Sequence, residues 1–524
     1  MTGAFYVPLD RSVLYMKRVF SVFVAVLSLT ACQFINEEEE ATPRSSSQSV
    51  VTHNLVPSKS VSFEVSAKSN VFVVQADAAN VTLSGNLAGK TIYYATVNSG
   101  SKAISNEYVR YIAENSARSA SAGKVKIFES DTKNEQNHAV HHHDDFNPVF
   151  DDDSSRGVAG VTFDTEKIDN QVGVTSKNFY VAAAKGSFQH KPATLYASDS
   201  ICNVWILNDD TGIPENERME VARIYAEKFS SIYQKIRAVF GEESDLIYVS
   251  TNGALAPMEN ACATGKKVNI LVYDLYGDQN DGETIGLYSS IDYFKNGLAF
   301  RNTTITRSNE GKYFYIDSYF AKNCLEYTLS TLAHEFQHMI NYSMKVMNGI
   351  ECDSNLNEML SMLCEDMIQS ELNISDSYSP KNRMFKFISN YYDAGIREYN
   401  DTLQSYANAY AFGAWLVRNF GGNALIREMM HNRKSNNDCI VSAVNTINGT
   451  NYSFESLFAL FVKACFDYED TPRVFENNVV GNLAASYGMY LKTYAVADGN
   501  SVKLDFTSIS GQTNSGLITY IYVK

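Results

Sequence analysis

The chain is short of positive charge: 44 lysines and arginines stand against 59 aspartates and glutamates, a formal net charge of −15 over 524 residues. That balance repels a phosphate backbone, so nucleic acid is excluded as a partner. Long apolar runs are missing as well. The one candidate, Val19 to Thr30, is a mostly apolar stretch too short to span a bilayer comfortably. A fully paired disulfide framework is excluded on different grounds. Beyond Cys32 the cysteines are Cys202, Cys262, Cys324, Cys352, Cys364, Cys439 and Cys465, an odd set that leaves at least one thiol unpaired within a monomer. An exported location would still permit bridges, and one from Cys352 or Cys364, which flank Glu358, would fix the helix there. Histidine is scarce too, nine in the whole chain, which gives weight to two that fall four residues apart.

Those two are His334 and His338, in Thr-Leu-Ala-His-Glu-Phe-Gln-His-Met-Ile (331–340). On a helix, residues four apart share a face, roughly 5 to 6 Å between Cβ atoms, so both imidazoles can reach one tetrahedral metal. Glu335 between them is placed to act as general base on water at that metal. A catalytic zinc takes three protein ligands and leaves the fourth position to water, so one more ligand is required downstream. Glu358 supplies it, after enough residues for a loop and the start of a second helix. Leu356, Met359, Leu360, Leu363, Met367 and Ile368 form the apolar stripe of that helix. Glu358, Ser361 and Glu365 share another face at i, i+3 and i+7, so Glu365 is positioned to accept from the outer N–H of a ligating histidine. The metzincin arrangement is excluded, because Asn341 and Met344 stand where its glycine and third histidine belong.

LAHEFQHMIN followed by LNEMLSMLCED resembles the hyicolysin family of zinc metallopeptidases, gluzincins whose third ligand is a glutamate opening a second helix. The likeness extends upstream to residues 172–181 and 193–197, before Cys202 and Trp205, and covers residues 172–475. It implies an α+β, zincin-like metallopeptidase domain of mixed sheet and active-site helices, with zinc on His334, His338 and Glu358, and endopeptidase rather than aminopeptidase action. One departure is visible: Met359 replaces the glycine that usually follows the ligand glutamate, beside the cleft. Tyr-Ala-Phe-Gly-Ala-Trp-Leu (410–416) resembles the YxxGA segment of related gluzincin aminopeptidases, whose tyrosine holds the tetrahedral oxyanion alongside the metal. Tyr410 is therefore the expected donor, in a segment that opens a helix ending at Gly421-Gly422. Tyr406, one turn earlier, and His431 are its rivals.

Lys17-Arg18, the short apolar run and Leu29-Thr30-Ala31-Cys32 read as a lipoprotein signal peptide over residues 16–31. In the bacterial lipoproteins this resembles, the cysteine is lipidated, so Cys32 would anchor the chain to the cell envelope, at the outer membrane or cell surface, without a spanning helix. Met16 precedes Lys17, and residues 1–15 are expected to be a start-site artefact. Residues 32–57, acidic and then serine-rich, read as a disordered tether. Residues 58–130 alternate in short runs like a small β-sandwich. Residues 131–165, with His138, His141 to His143 and Asp151 to Asp153, read as an exposed polar linker. Residues 166–475 form the catalytic domain, and 476–524 a C-terminal all-β module.

Within the catalytic stretch a helix is expected over Glu215 to Phe240, stopped by Gly241, then strands over 268–275, 286–291 and 313–317. Gly286-Leu-Tyr-Ser-Ser is the candidate strand for pairing with extended substrate backbone. Asp274, Asp278, Asp281 and Glu283 could hold a structural calcium, but their spacing fits no EF-hand and a plain acidic turn is the simpler reading. The expected activity is hydrolysis of peptide bonds in proteins outside the cytoplasm. The competing expectation is a surface binding or adhesin lipoprotein that uses a silent peptidase fold as scaffold.

Overall fold

The computed structural model describes residues 60–66, 70–75, 80–98, 140–144, 171–183, 187–251, 254–258, 265–277, 284–300, 303–391, 395–398, 403–467, 487, 489–495, 500–505 and 517–523. Four strands come first: β1 (Ser60–Val65), β2 (Val71–Gln75), β3 (Asn80–Gly85) and β4 (Thr91–Asn98), followed by β5 (Val140–Asp144). The central stretch opens with β6 (Ser176–Ala182), β7 (Phe188–Ser198) and β8 (Cys202–Leu207). Helix α1 (Glu215–Phe240) follows, then the hairpin of β9 (Ile247–Thr251) and β10 (Ala254–Met258), and strands β11 (Val268–Tyr273) and β12 (Thr284–Ser289). The short pair β13 (Ala299–Phe300) and β14 (Thr303–Thr304) precedes β15 (Tyr313–Asp317). Helices then dominate: α2 (Ser318–Asn323), α3 (Leu325–Met344), α4 (Ser354–Leu372), α5 (Arg383–Asn390), α6 (Leu403–Phe420), α7 (Gly422–His431), α8 (Asn436–Asn448) and α9 (Phe454–Asp467). Last come β16 (Met489–Ala495), β17 (Ser501–Asp505) and β18 (Leu517–Val523).

Seven strands make a mixed sheet in the order β5-β12-β15-β11-β8-β7-β6. Strands β8, β11 and β15 run parallel, and β12 is antiparallel to β15. The central strands read as continuous apolar runs because both faces are covered: every residue of β8, β11, β12 and β15 is buried. Val204, Ile270, Phe314 and Ile316 face the helices and join Phe229, Phe336 and Leu360 in one core. Trp205, Leu271, Tyr313 and Tyr315 pack on the opposite face with Phe179 and Leu195. Helix α1 buries Tyr225, Phe229, Ile232 and Ile236 from one stripe. Glu215 and Glu217 in its first turn and Arg237 in its last suit the helix dipole, and Gly241, at φ 102°, breaks it.

The terminal β segments, expected as separate modules, interleave. Strand β18 lies between β4 and β2, β16 flanks β4, and β17 pairs with β3 beside β1. Phe63 of β1 and Phe72 of β2 meet at 4.7 Å between ring centres, joining the two sheets. Sheets of so few strands are marginal alone, so each segment completes the other. The stretch expected to be an exposed linker also contributes structure, since β5 pairs with β12. Polar side chains do not prevent this, because a strand edge offers backbone hydrogen bonds whatever side chains its partner carries. The leader, Cys32 and the tether lie outside the described residues. Among the described residues no helix is long and apolar enough to cross a membrane.

Candidate metal centre

From Thr328 to Ser343 every residue of α3 is buried. Placing His334, Glu335, Gln337 and His338 in a dry interior is costly without polar partners, so those partners define the site. They come mainly from α4, whose start is fixed by its cap. Asp353 accepts from the Leu356 N–H at 2.7 Å and is clamped by Arg397 at 2.6 and 2.9 Å. Glu358, one turn further on, thereby faces α3.

His334 Nε2 lies 3.2 Å from one Glu358 oxygen and His338 Nε2 3.7 Å from the other. One ligand atom from each of the three falls within 4.8 Å of the rest, all buried. The outer nitrogens are also engaged. His334 Nδ1 is 2.8 Å from Glu365 Oε1, and it donates there in the tautomer that leaves Nε2 for a metal. The other Glu365 oxygen accepts from Ser330 Oγ. His338 Nδ1 lies 3.1 Å from Ser361 Oγ, which donates to Gln337 Oε1 at 2.5 Å.

The electrostatics ask for a cation. Burial opposes a charge on His334, yet the Glu358 and Glu365 carboxylates outweigh it and lift the pKa to about 10. Glu335 is pushed far above the usual carboxylate range, chiefly by burial; His334 opposes the shift while Glu358 and Glu365 add to it. Three carboxylates thus share one dry pocket, and a divalent ion among His334, His338 and Glu358 would balance them. Two imidazoles and a carboxylate oxygen are a donor set that suits zinc.

Glu335 packs against the sheet at Gly286, where an added Cβ would fall 2.5 Å from its Oε1. Met359 is fully buried and directed at α6, for a Cβ on Gly413 would meet its Cγ at 2.5 Å and its Sδ at 2.9 Å. The bulk that replaces the family glycine is thus accommodated by a glycine on the neighbouring helix. The Gly286 and Gly413 contacts and the Ser361–Gln337 pair carry no signal in the sequence pattern, although Gly413 sits in the same YAFGA segment as Tyr410.

Tyr410 is not brought to the metal ligands. It is buried in the middle of α6, not at its start. Burial and then the Asp366 carboxylate push its hydroxyl pKa well up, with Arg418 opposing, which puts that hydroxyl beside the 2.8 Å Arg418–Asp366 ion pair. Asp366 lies two turns beyond Glu358 on α4. Tyr406 is buried with the Arg383 guanidinium 5.1 Å from its ring centre, and His431 is exposed on the last turn of α7. Cys352 and Cys364 are free thiols, so the ligand helix is fixed by the Asp353–Arg397 clamp instead of a bridge. Cys262, Asp278, Asp281 and Glu283 lie outside the described residues.

The family described as Peptidase M30 matches residues 192–466, more than half of the chain. The neutral metalloprotease ShpI of Staphylococcus hyicus is 26% identical over 254 residues, 46% of this chain and 51% of the relative. The chain therefore spans about half the length of the curated relative it matches. Among solved structures, an M1 zinc metallopeptidase from Deinococcus radiodurans is 12% identical, the match covering 60% of this chain and 52% of that one at a TM-score of 0.23. A mutant of an M1 zinc metallopeptidase from the same organism is 11% identical over 55% of this chain and 52% of its own, at a TM-score of 0.27.

Proposed function

Because the chain belongs to the peptidase M30 family, we propose that it is a zinc-dependent metalloendopeptidase hydrolysing peptide bonds of proteins outside the cytoplasm. The observation that best supports the reading is the convergence within 4.8 Å of the His334 and His338 donors of α3, the helix that also carries Glu335, with the Glu358 donor of α4. His334 and His338 would hold the metal through Nε2, and Glu358 through its carboxylate. A zinc ion there supplies Lewis acidity, polarising the scissile carbonyl and acidifying nearby water. Glu335 takes the proton from water as its oxygen attacks the peptide carbonyl, and returns it to the amine nitrogen as the C–N bond breaks. Burial of that carboxylate favours its holding the proton between the two steps. Glu365 and Ser361 orient the two imidazoles from outside. The outer edge of β12 takes up extended substrate backbone. Attachment to the cell envelope through a lipid on Cys32 belongs to the same proposal, supported by the Leu29-Thr30-Ala31-Cys32 sequence.

Metal analysis combined with Glu335→Gln tests the reading. The wild type should bind zinc stoichiometrically and cleave unfolded casein. Glu335→Gln should keep the zinc and lose about 10²- to 10⁴-fold in rate. A wild type without stoichiometric zinc, or no faster than the variant, overturns it.

A further inference from the structure

Strand β12 lies against the metal centre. Gly286 touches Glu335, and the Tyr288 ring stacks toward His338 with centres 6.5 Å apart. One edge of β12 is taken by β15. The other is where an extended polypeptide would add as a further strand, exchanging main-chain hydrogen bonds next to Glu335. That edge is covered. Val140–Asp144 runs along it in parallel, with Thr284 opposite Val140, Leu287 opposite His142, Tyr288 opposite His143 and Ser289 opposite Asp144. Between the first two pairs, Ile285 and Gly286 face the single His141, so the ladder bulges at the residue that meets Glu335.

We infer that residues 140–144 are a displaceable competitor in cis for the edge of β12, which an extended polypeptide must push aside to reach the metal centre. This rests on the peptidase reading above. Parallel pairing is less stable per residue than antiparallel pairing, and this ladder is short and interrupted by its bulge. Val-His-His-His-Asp carries a single strongly apolar residue, Val140. Strand β12, buried along its length and paired with β15, keeps its place without β5. An incoming strand that pairs antiparallel and brings apolar side chains gains on each count. Covalent tethering lets a weak strand compete all the same, because it holds β5 at an effective concentration on the order of millimolar.

Neighbouring N–H groups along a strand point to opposite sides. Replacing both His142 and His143 by proline therefore removes whichever of the two N–H groups faces β12. The full chain is used, zinc-loaded and in a Glu335→Gln background, so that binding is read and not turnover. Fluorescein-labelled unfolded casein is the probe, followed by anisotropy, with hydrogen exchange of the β12 amides measured on the same samples. The inference expects faster exchange at those of the Leu287, Tyr288 and Ser289 amides that face β5, with the alternate amides held by β15 unchanged, and a several-fold lower Kd for casein in His142→Pro/His143→Pro. A second variant, His142→Gly/His143→Gly, keeps the N–H donors while weakening the strand, and should shift both readouts the same way by less. Faster exchange with unchanged or weaker binding overturns the inference, since β5 would then only support the sheet. Unchanged exchange overturns it too, since no ladder would have been displaced. Failure of the peptidase reading shows separately, as a zinc-loaded chain with native Glu335 that leaves casein uncut.

Discussion

Gly286 and Glu335 touch across the interface of β12 and α3: a Cβ on Gly286 would lie 2.5 Å from the carboxylate oxygen and 2.4 Å from Thr331 Cγ2. Both contacts are closer than real Cβ atoms tolerate, so the sheet approaches the active-site helix as only glycine permits. The strand proposed to receive an extended chain is thus also the wall against which the candidate general base packs.

Gly286→Ala should displace Glu335 without touching a metal ligand. Zinc content is expected to stay stoichiometric while kcat falls about 100-fold, the cost of a misplacement near 1 Å. Adding Thr331→Ser removes the methyl contact and should recover thermal stability but not kcat, because the carboxylate contact persists. Melting curves, metal content and steady-state rates on the single and double variants check this. Recovery of kcat by Thr331→Ser would mean that β12 positions something other than Glu335.

Met359 and Gly413 should behave as a coupled pair. Gly413→Ala forces a methyl into the fully buried Met359 side chain and should cost about 1 to 3 kcal/mol by overpacking. Met359→Ala leaves a cavity at the same place, at about 2 to 5 kcal/mol. The double variant fills part of that cavity with the new methyl, so its loss should be smaller than the sum, with a coupling of about 0.5 to 3 kcal/mol. Urea denaturation of the four proteins measures it, and simple additivity would refute the pairing.

Glu365→Gln should weaken zinc binding without moving a ligand. The carboxylate lies 2.8 Å from His334 Nδ1 and also accepts from Ser330. Glutamine retains the shape but loses the charge that makes the imidazole a stronger donor to metal. Affinity is expected to fall about 10- to 100-fold, read by competition with a chromogenic chelator. Ser330→Ala should have a smaller effect in the same direction, and an unchanged affinity in both variants would remove the orienting role.

The parts of the molecule legible in the sequence are those fixed by local pattern. Helix α1 runs from Glu215 to Phe240 as its stripe and Gly241 imply, and HEFQH with Glu358 needs only two helical faces to meet. What was not legible depends on backbone pairing over long separations or on one torsion. Nothing in Val-His-His-His-Asp announces a strand, because the partner is the edge of β12, more than a hundred residues away. The interleaving of β2, β4 and β18 joins the two ends of the chain, where alternation reveals strands but not their neighbours. Segment 410–416 supplied a plausible tyrosine, yet the direction of its side chain is set by Asp366 and Arg418.

Tyr410→Phe separates the role the YxxGA resemblance implies from the place the hydroxyl occupies. Beside the Arg418–Asp366 pair, the hydroxyl contributes to packing α6 on α4, and its loss should cost about 1 kcal/mol of stability, as for a buried hydrogen-bonding group. Since Arg418 and Asp366 still hold each other, kcat should change little. An oxyanion donor would behave otherwise: its removal would lower kcat by about 10²- to 10³-fold with stability intact. Urea melts and steady-state kinetics on one preparation distinguish the two patterns. The second would mean that Tyr410 leaves Asp366 and swings toward the metal ligands when substrate is bound, giving up one ion-pair contact for one made only in the transition state.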